Sequence, residues 1–129
     1  MREAQKYNKQ RAYQKGLWAE TLAAGYMRLK GYKLLETRYK TRVGEVDLIF
    51  VKDGMLVFTE VKARNDEAEG LEAVNYKSRR RIEQAALHYI AAQAPEYDDY
   101  AMRFDVLVVG QKLGAISFHH LDNAWQAGE

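Results

Sequence analysis

Between Leu17 and Lys30 the large apolar residues Trp18, Leu22, Tyr26 and Leu29 recur at spacings of four, four and three, a helical stripe that Gly31 is placed to end. The short mixed run Tyr32 to Tyr39, with Leu34 and Leu35 after the helix stop, reads as a first strand. Residues 44 to 63 then give a β-hairpin: EVDLIFV, a Lys-Asp-Gly-Met turn and LVFTEVK, with Asp53-Gly54 as the two-residue connection. The next stretch, 63 to 73, carries four acids and a glycine without periodicity and is expected to be a loop. From about Asn75, Ile82, Ala85, Ala86, Tyr89 and Ile90 line one face of a second helix that should stop near Pro95. Arg103 to Val109 reads as a buried strand, Gln111 to Gly114 as a turn, and Ala115 to His120 as a last strand.

The order α-β-β-β-α-β-β, with strands three and four joined through a helix, implies an α/β domain. Its mixed central sheet would have a right-handed crossover and a covering of helices. At 129 residues and 47% hydrophobic the chain suits one such domain, without repeats or low-complexity tracts. Residues 1 to 15 stand apart as a basic N-terminal arm with Tyr7 and Tyr13 interleaved, expected to be loose or a frayed helix, and residues 126 to 129 as a short tail.

The hairpin carries the candidate chemistry. With Asp53 and Gly54 as turn residues, facing positions have numbers summing to 107, so Asp47 should face Glu60, and Glu45 should face Lys62. All four would then emerge on one face of the sheet. Two carboxylates with Cβ atoms about 5 Å apart repel by roughly 3 kcal/mol at an effective dielectric near 20, which calls for a compensating cation. A hard divalent ion takes one or two carboxylates plus water and phosphate oxygens, so the pair has the chemistry of a metal site. The rest of both strands is apolar, with Val46, Leu48, Phe50, Val57 and Val61 on one face and Ile49, Val51, Leu56 and Phe58 on the other, as in central, covered strands.

Charge points the same way. Residues 1 to 81 carry 18 Lys/Arg against 11 Asp/Glu, and residues 82 to 129 carry 2 against 7, so a basic portion suited to a polyanion precedes an acidic one. Lys77, Arg79, Arg80 and Arg81 sit at the start of the second helix, where the macrodipole disfavours cations and an external phosphate would account for them. Arg38, Lys40 and Arg42 precede the hairpin and Arg64 follows it, positioned to track phosphates without reading bases. Without Cys, thiolate chemistry and a zinc ribbon are excluded. His88, His119 and His120 form no evident constellation. No apolar run approaches a membrane span and the first residues lack a signal peptide's apolar stretch, so a cytoplasmic protein without a membrane partner is expected.

Gly44-Glu45-Val46-Asp47 followed by Glu60-Val61-Lys62 resembles the PD-(D/E)XK signature of restriction-endonuclease-like nucleases. The wider run is similar to the YraN-like family of predicted endonucleases over about residues 16 to 125, through Trp18-Ala19-Glu20, GEVDLIF, VFTEVKAR, Lys77 to Arg81 and RFDV. It departs from the superfamily name in having Glu45-Val46 before Asp47 instead of a Pro-Asp pair. The resemblance implies a restriction-endonuclease-like fold and a Mg²⁺, with Mn²⁺ as a substitute, held by Asp47, Glu60 and the Val61 carbonyl. Lys62 would orient the attacking water or stabilise charge on the phosphate, and Glu20 would complete the site from the first helix. Glu45 is a further ligand or, preferably, the partner of Lys62. The implied activity is hydrolysis of DNA, in branched or structured form by analogy with Holliday-junction resolvases, where symmetric cutting would suit a homodimer. Two other readings stand beside it: a nucleic-acid-binding module of the same fold that cuts little or not at all, and a protein-interaction domain.

Overall fold

A computed structural model describes residues 2 to 129; Met1, the first residue of the expected arm, lies outside them. The elements are α1 (Arg2–Leu29), β1 (Lys33–Lys40), β2 (Glu45–Lys52), β3 (Met55–Ala63), α2 (Glu67–Glu72), α3 (Tyr76–Ala92), β4 (Ala101–Lys112) and β5 (Ala115–Trp125). They build one five-stranded sheet in the order β1-β2-β3-β4-β5. Only β3 and β4 are parallel, the pair joined through the helices, and the other neighbours are antiparallel.

Each face of the sheet carries its own apolar layer. Ala19, Ala23 and Met27 of α1 pack with Leu48, Phe50, Val57, Val61, Leu107 and Val109. On the opposite face, Ile82, Ala85, Ala86 and Tyr89 of α3 pack with Val46, Ile49, Leu56, Phe58, Val106 and Val108. The seam of α1 is thus two alanines and Met27, one position on from the expected stripe. Trp18, Leu22 and Tyr26 flank the seam and Leu29 is 91% exposed. Alanines let a helix lie close on a sheet already filled by Phe50 and Val57, and the larger neighbours cover the flanks.

Of the two readings of residues 1 to 15, the helical one holds from Arg2, where α1 begins and runs unbroken to Leu29. Two expectations change. The loop expected at 63 to 73 contains α2, capped by Asp66, whose Oδ1 accepts from the Ala68 N–H at 2.7 Å. Gly70 lets this helix meet β4, since a Cβ there would lie 2.4 Å from Val108 Cγ2. Asp66, Glu67 and Glu69 mark the cap and first turn of a helix too short to show periodicity. The last strand continues to Trp125, past His120 where expected to end.

The hairpin register holds only in part. Lys52↔Met55 through Leu48↔Thr59 pair as the sum of 107 requires, and there the ladder ends. Val46 packs with the α3-side core while Leu48 packs with the α1-side core, so strand alternation breaks at Asp47. Across from this point, Arg38 of β1 has φ of 53° between the pairs Thr37↔Leu48 and Tyr39↔Val46, a left-handed conformation uncommon for a non-glycine residue. Local irregularity of this kind collects at functional sites.

Candidate functional site

The break in the ladder creates the site. Asp47, freed from alternation, turns its carboxylate into the plane of the sheet, and Oδ2 accepts from the Val61 backbone N–H at 2.8 Å. A side chain therefore occupies the place where a β2 carbonyl would continue the ladder. Glu60 adjoins Val61, and its carboxyl meets that of Asp47 within hydrogen-bonding reach. Lys62 Nζ stands 3.5 Å from Glu60 Oε2. The expected juxtaposition of Asp47 and Glu60 is present, but it is not produced by four side chains on one face. The pleat places Glu60 and Lys62 on the side of Phe58, and Asp47 reaches them through the open end of the ladder. Lys62 consequently pairs with Glu60, while Glu45 is exposed and lines a pocket with Glu20, Arg38, Lys40 and Asp47.

Burial pushes the Glu60 carboxyl up to about 9, with the neighbouring Asp47 charge and hydrogen bond adding to it and Lys62 opposing. Metal-free, the pair therefore holds a proton on Glu60 at neutral pH, between two oxygens that a hard cation could bridge instead. Glu20 is also raised, first by burial and then by Asp47, against the pull of Arg38 and Lys40. Its Oε1 lies 3.9 Å from Arg38 Nε, so α1 does deliver this acid to the mouth of the site. Among the described residues no three His, Asp or Glu side chains gather tightly enough to hold an ion by themselves. Two carboxylates, with the Val61 carbonyl as the further oxygen that the resemblance implies, suit an oxygen-seeking divalent ion that keeps waters and phosphate oxygens as its other ligands.

A stability measurement tests this electrostatic picture. A free glutamate titrates near 4.5 and Glu60 in the fold at about 9, so between those values the folded chain keeps a proton that the unfolded chain has released. Stability from this group is full below the lower value and is lost as pH rises towards the upper one. Glu60→Gln has no such proton, so in EDTA the variant should gain on the parent by up to about 1.4 kcal/mol for each pH unit between about pH 5 and pH 9, and show no such gain below about pH 5. Thermal melts across that range read the effect. A gap independent of pH would refute the buried-acid description.

The basic residues separate into two groups. Arg38 and Lys40 line the acidic pocket, Arg42 is exposed on the turn that precedes β2, and Arg64 is exposed just after β3. In the turn, Gly44 touches α3 so closely that a Cβ would lie 1.8 Å from the Arg81 carbonyl oxygen, which brings the start of α3 beside the hairpin. Lys77 and Arg81 are exposed there. Arg79 and Arg80 are used internally. Arg79 Nε donates to the Val74 carbonyl at 3.1 Å and the guanidinium lies over Trp125. Arg80 Nη1 pairs with Glu83 Oε1 at 2.8 Å and lies over Tyr76. The surplus cations at this helix start thus have partners supplied from inside the fold for two of the four.

Two buried acids escaped the sequence reading. Asp105, fully buried, accepts a fork of hydrogen bonds from Arg103 at 2.8 and 2.7 Å, one from His120 Nε2 at 2.7 Å and one from the Asn123 N–H at 3.0 Å. Arg103 also donates to the Tyr32 hydroxyl at 2.6 Å. Glu83, 6% exposed, accepts from Trp125 Nε1 at 3.0 Å and from Arg80, tying the end of β5 to α3. An acid inside an apolar strand, as in RFDV, or on the apolar face of a helix is the signal that could have revealed both. His88 has a partner as well, the Tyr39 hydroxyl at 2.6 Å.

Comparison with known proteins matches this chain to relatives of similar length. The model of the family described as uncharacterised protein family UPF0102 matches residues 19–109. A UPF0102 protein of Mesorhizobium japonicum is 44% identical over 109 residues, covering 84% of this chain and 86% of that protein. One from Chelativorans sp. is 39% identical over 120 residues, 93% and 94% of the two chains, and one from Alkaliphilus oremlandii is 38% identical over 112 residues, 85% and 96%.

Proposed function

The chain belongs to the UPF0102 family, and from that premise and the geometry of the site we propose that it is a Mg²⁺-dependent endonuclease of restriction-endonuclease-like fold, hydrolysing phosphodiester bonds in DNA. The observation that carries this reading is the end of the β2–β3 ladder, where the Asp47 side chain replaces a backbone acceptor and meets Glu60 beside Lys62. Purely structural strands would gain by continuing the ladder, and leaving two acids together in a half-buried notch has no folding benefit.

Asp47, Glu60 and the Val61 carbonyl would hold the ion, and Mg²⁺ bound there supplies a Lewis acid for the scissile phosphate. Lys62, on the same side of the sheet as Glu60, orients the attacking water or offsets negative charge on the phosphate. Arg38 and Lys40 hold the flanking phosphates at the pocket mouth, and Glu20 fixes the position of Arg38 through its ion pair. Water adds to phosphorus as the bond to the leaving sugar oxygen breaks, and that oxygen leaves protonated.

A binding module that does not cut is the second reading, favoured by the lack of a third acid gathered with Asp47 and Glu60 among the described residues. A labelled four-way DNA junction and its linear arms distinguish the two. Product is expected with Mg²⁺ or Mn²⁺ and none with EDTA. Salt-sensitive binding without product for every form of DNA, with either ion, would exclude the nuclease and leave the module.

A further inference from the structure

The proposed site occupies one end of the sheet, and α1 continues beyond that end. Its 28 residues span about 42 Å, against about 27 Å for the eight-residue strands. Lys52 Nζ donates to the Lys30 carbonyl at 3.0 Å, which fixes the C-terminal end of α1 at the hairpin turn. Arg38 binds Tyr13 and Glu20, which directs the N-terminal half past the acidic pocket. Residues 2 to 15 are exposed on every side and carry five Lys/Arg against one acid, Glu3.

The charges are not evenly spread. At 100° per residue, Arg2, Lys6, Lys9 and Tyr13 fall within about 60° of one another, and Glu20 falls on the same line. Gln5 and Gln10 border the stripe on its two sides. It leads directly to Arg38, whose Nη1 donates to the Tyr13 hydroxyl at 3.2 Å and whose guanidinium lies 5.1 Å from that ring. Arg11 and Lys15 lie on the opposite side of the helix. Cations in the first turn oppose the macrodipole, and Arg2 and Lys6 repel at i,i+4, so this arrangement weakens the isolated helix. A membrane surface is a poor occupant because the segment has no apolar face.

We propose that the exposed half of α1 is a duplex-binding arm whose Arg2–Lys6–Lys9 stripe lies against the phosphates of the DNA that enters the site, extending the footprint by about six base pairs. This rests on the nucleic-acid reading of the site but adds a surface outside residues 19–109, the part matched by the family model. A stripe with cations one helical turn apart, anchored through Tyr13 and Arg38 to the notch holding Asp47, sets the direction in which the duplex leaves the site. The Gln side chains that border it can donate to phosphate oxygens, and can both donate to and accept from base edges.

The test compares two substitution pairs that remove equal charge from opposite sides of the helix, Lys6→Gln/Lys9→Gln and Arg11→Gln/Lys15→Gln. The probe is a labelled 30-base-pair duplex titrated in EDTA at several salt concentrations. The first pair should make the slope of log affinity against log salt shallower by about 1.8 and weaken low-salt binding by about tenfold, while the second changes the slope by less than about 0.5. Footprinting should lose protection on one side of the site only for the first pair. Equal effects of both pairs would reduce the stripe to diffuse charge and overturn the proposal, as would no effect of either. The two readings fail separately. Metal-dependent cutting with unchanged binding by both pairs removes the arm alone, and a slope flattened by the first pair only, in a protein whose parent never cuts, removes the nuclease alone.

Discussion

Asp47→Asn is expected to abolish metal-dependent cleavage, by about a thousandfold or more, while leaving the fold and the thermal midpoint close to the parent's. The amide oxygen of Asn can still accept from the Val61 N–H, so the closure of the ladder survives, and what is lost is the negative charge that would hold the ion. Glu60→Gln should be equally inactive, for the same reason, in spite of the stability it gains on the parent as pH rises without metal. Lys62→Ala should lose about a hundredfold to a thousandfold, since the ion would still bind but the water or phosphate would lack its cation. Single-turnover cleavage of a labelled junction, with circular dichroism on each variant, provides the measurement. Because Asp47 and Glu60 would serve one ion, the double variant should be no worse than either single one, a non-additivity expected of residues that act as a unit. Cleavage that persists in all three single variants would place the chemistry elsewhere.

The layers of this fold were readable because they depend on periodicity. The alternating apolar residues of β2 and β3, the 3.6-residue stripe of α3 and the turn at Asp53-Gly54 each gave the observed element, and Asn75 and Pro95 bracket α3 as expected. Short or irregular features were not readable in that way. A six-residue helix such as α2 completes fewer than two turns and shows no stripe. The helical extension of α1 has no apolar face, so nothing in its pattern marks it as ordered. The site itself lies between these cases. Its residues were found by type and spacing, but the register argument that brought Asp47 opposite Glu60 assumed a ladder that stops one pair short. The two acids meet because alternation fails at Asp47, an irregularity visible only through the opposite packing of Val46 and Leu48 and the left-handed turn of the backbone at Arg38.

Two buried acids and one half-buried acid in one small chain show how environment assigns different work to the same functional group. Glu60 is surrounded so that its charge is disfavoured, Glu83 is paired with Arg80 and Trp125, and Asp105 is held by three partners that favour its charge. Glu60 and Asp105 are nearly neighbours, since Thr59 pairs with Asp105 and Glu60 with Val106, but they face opposite sides of the sheet.

That contrast fixes the sign of the last prediction. Burial alone would raise the Asp105 carboxyl, but hydrogen bonds from His120, Arg103 and the Asn123 N–H outweigh it and hold the group below its usual range. Its contribution is therefore full above the ordinary carboxylate value and is lost as pH falls through the lowered one, so acid should loosen this end of β4. Asp105→Asn leaves the Arg103 guanidinium, 19% exposed, without its counter-charge and should cost about 3–5 kcal/mol, roughly 10–20 °C in thermal midpoint for a chain of this size. Adding Arg103→Met to that variant should restore part of the loss, because the unpaired charge then disappears with its partner. Urea titrations of the single and double variants read both effects. At temperatures where Asp105→Asn remains folded it should still cut DNA in Mg²⁺, whereas Glu60→Gln should be stable and inactive. The same acid-to-amide exchange, made on the two faces of one sheet, would then separate the carboxylate that holds the fold from the carboxylate that the fold holds in reserve for a metal.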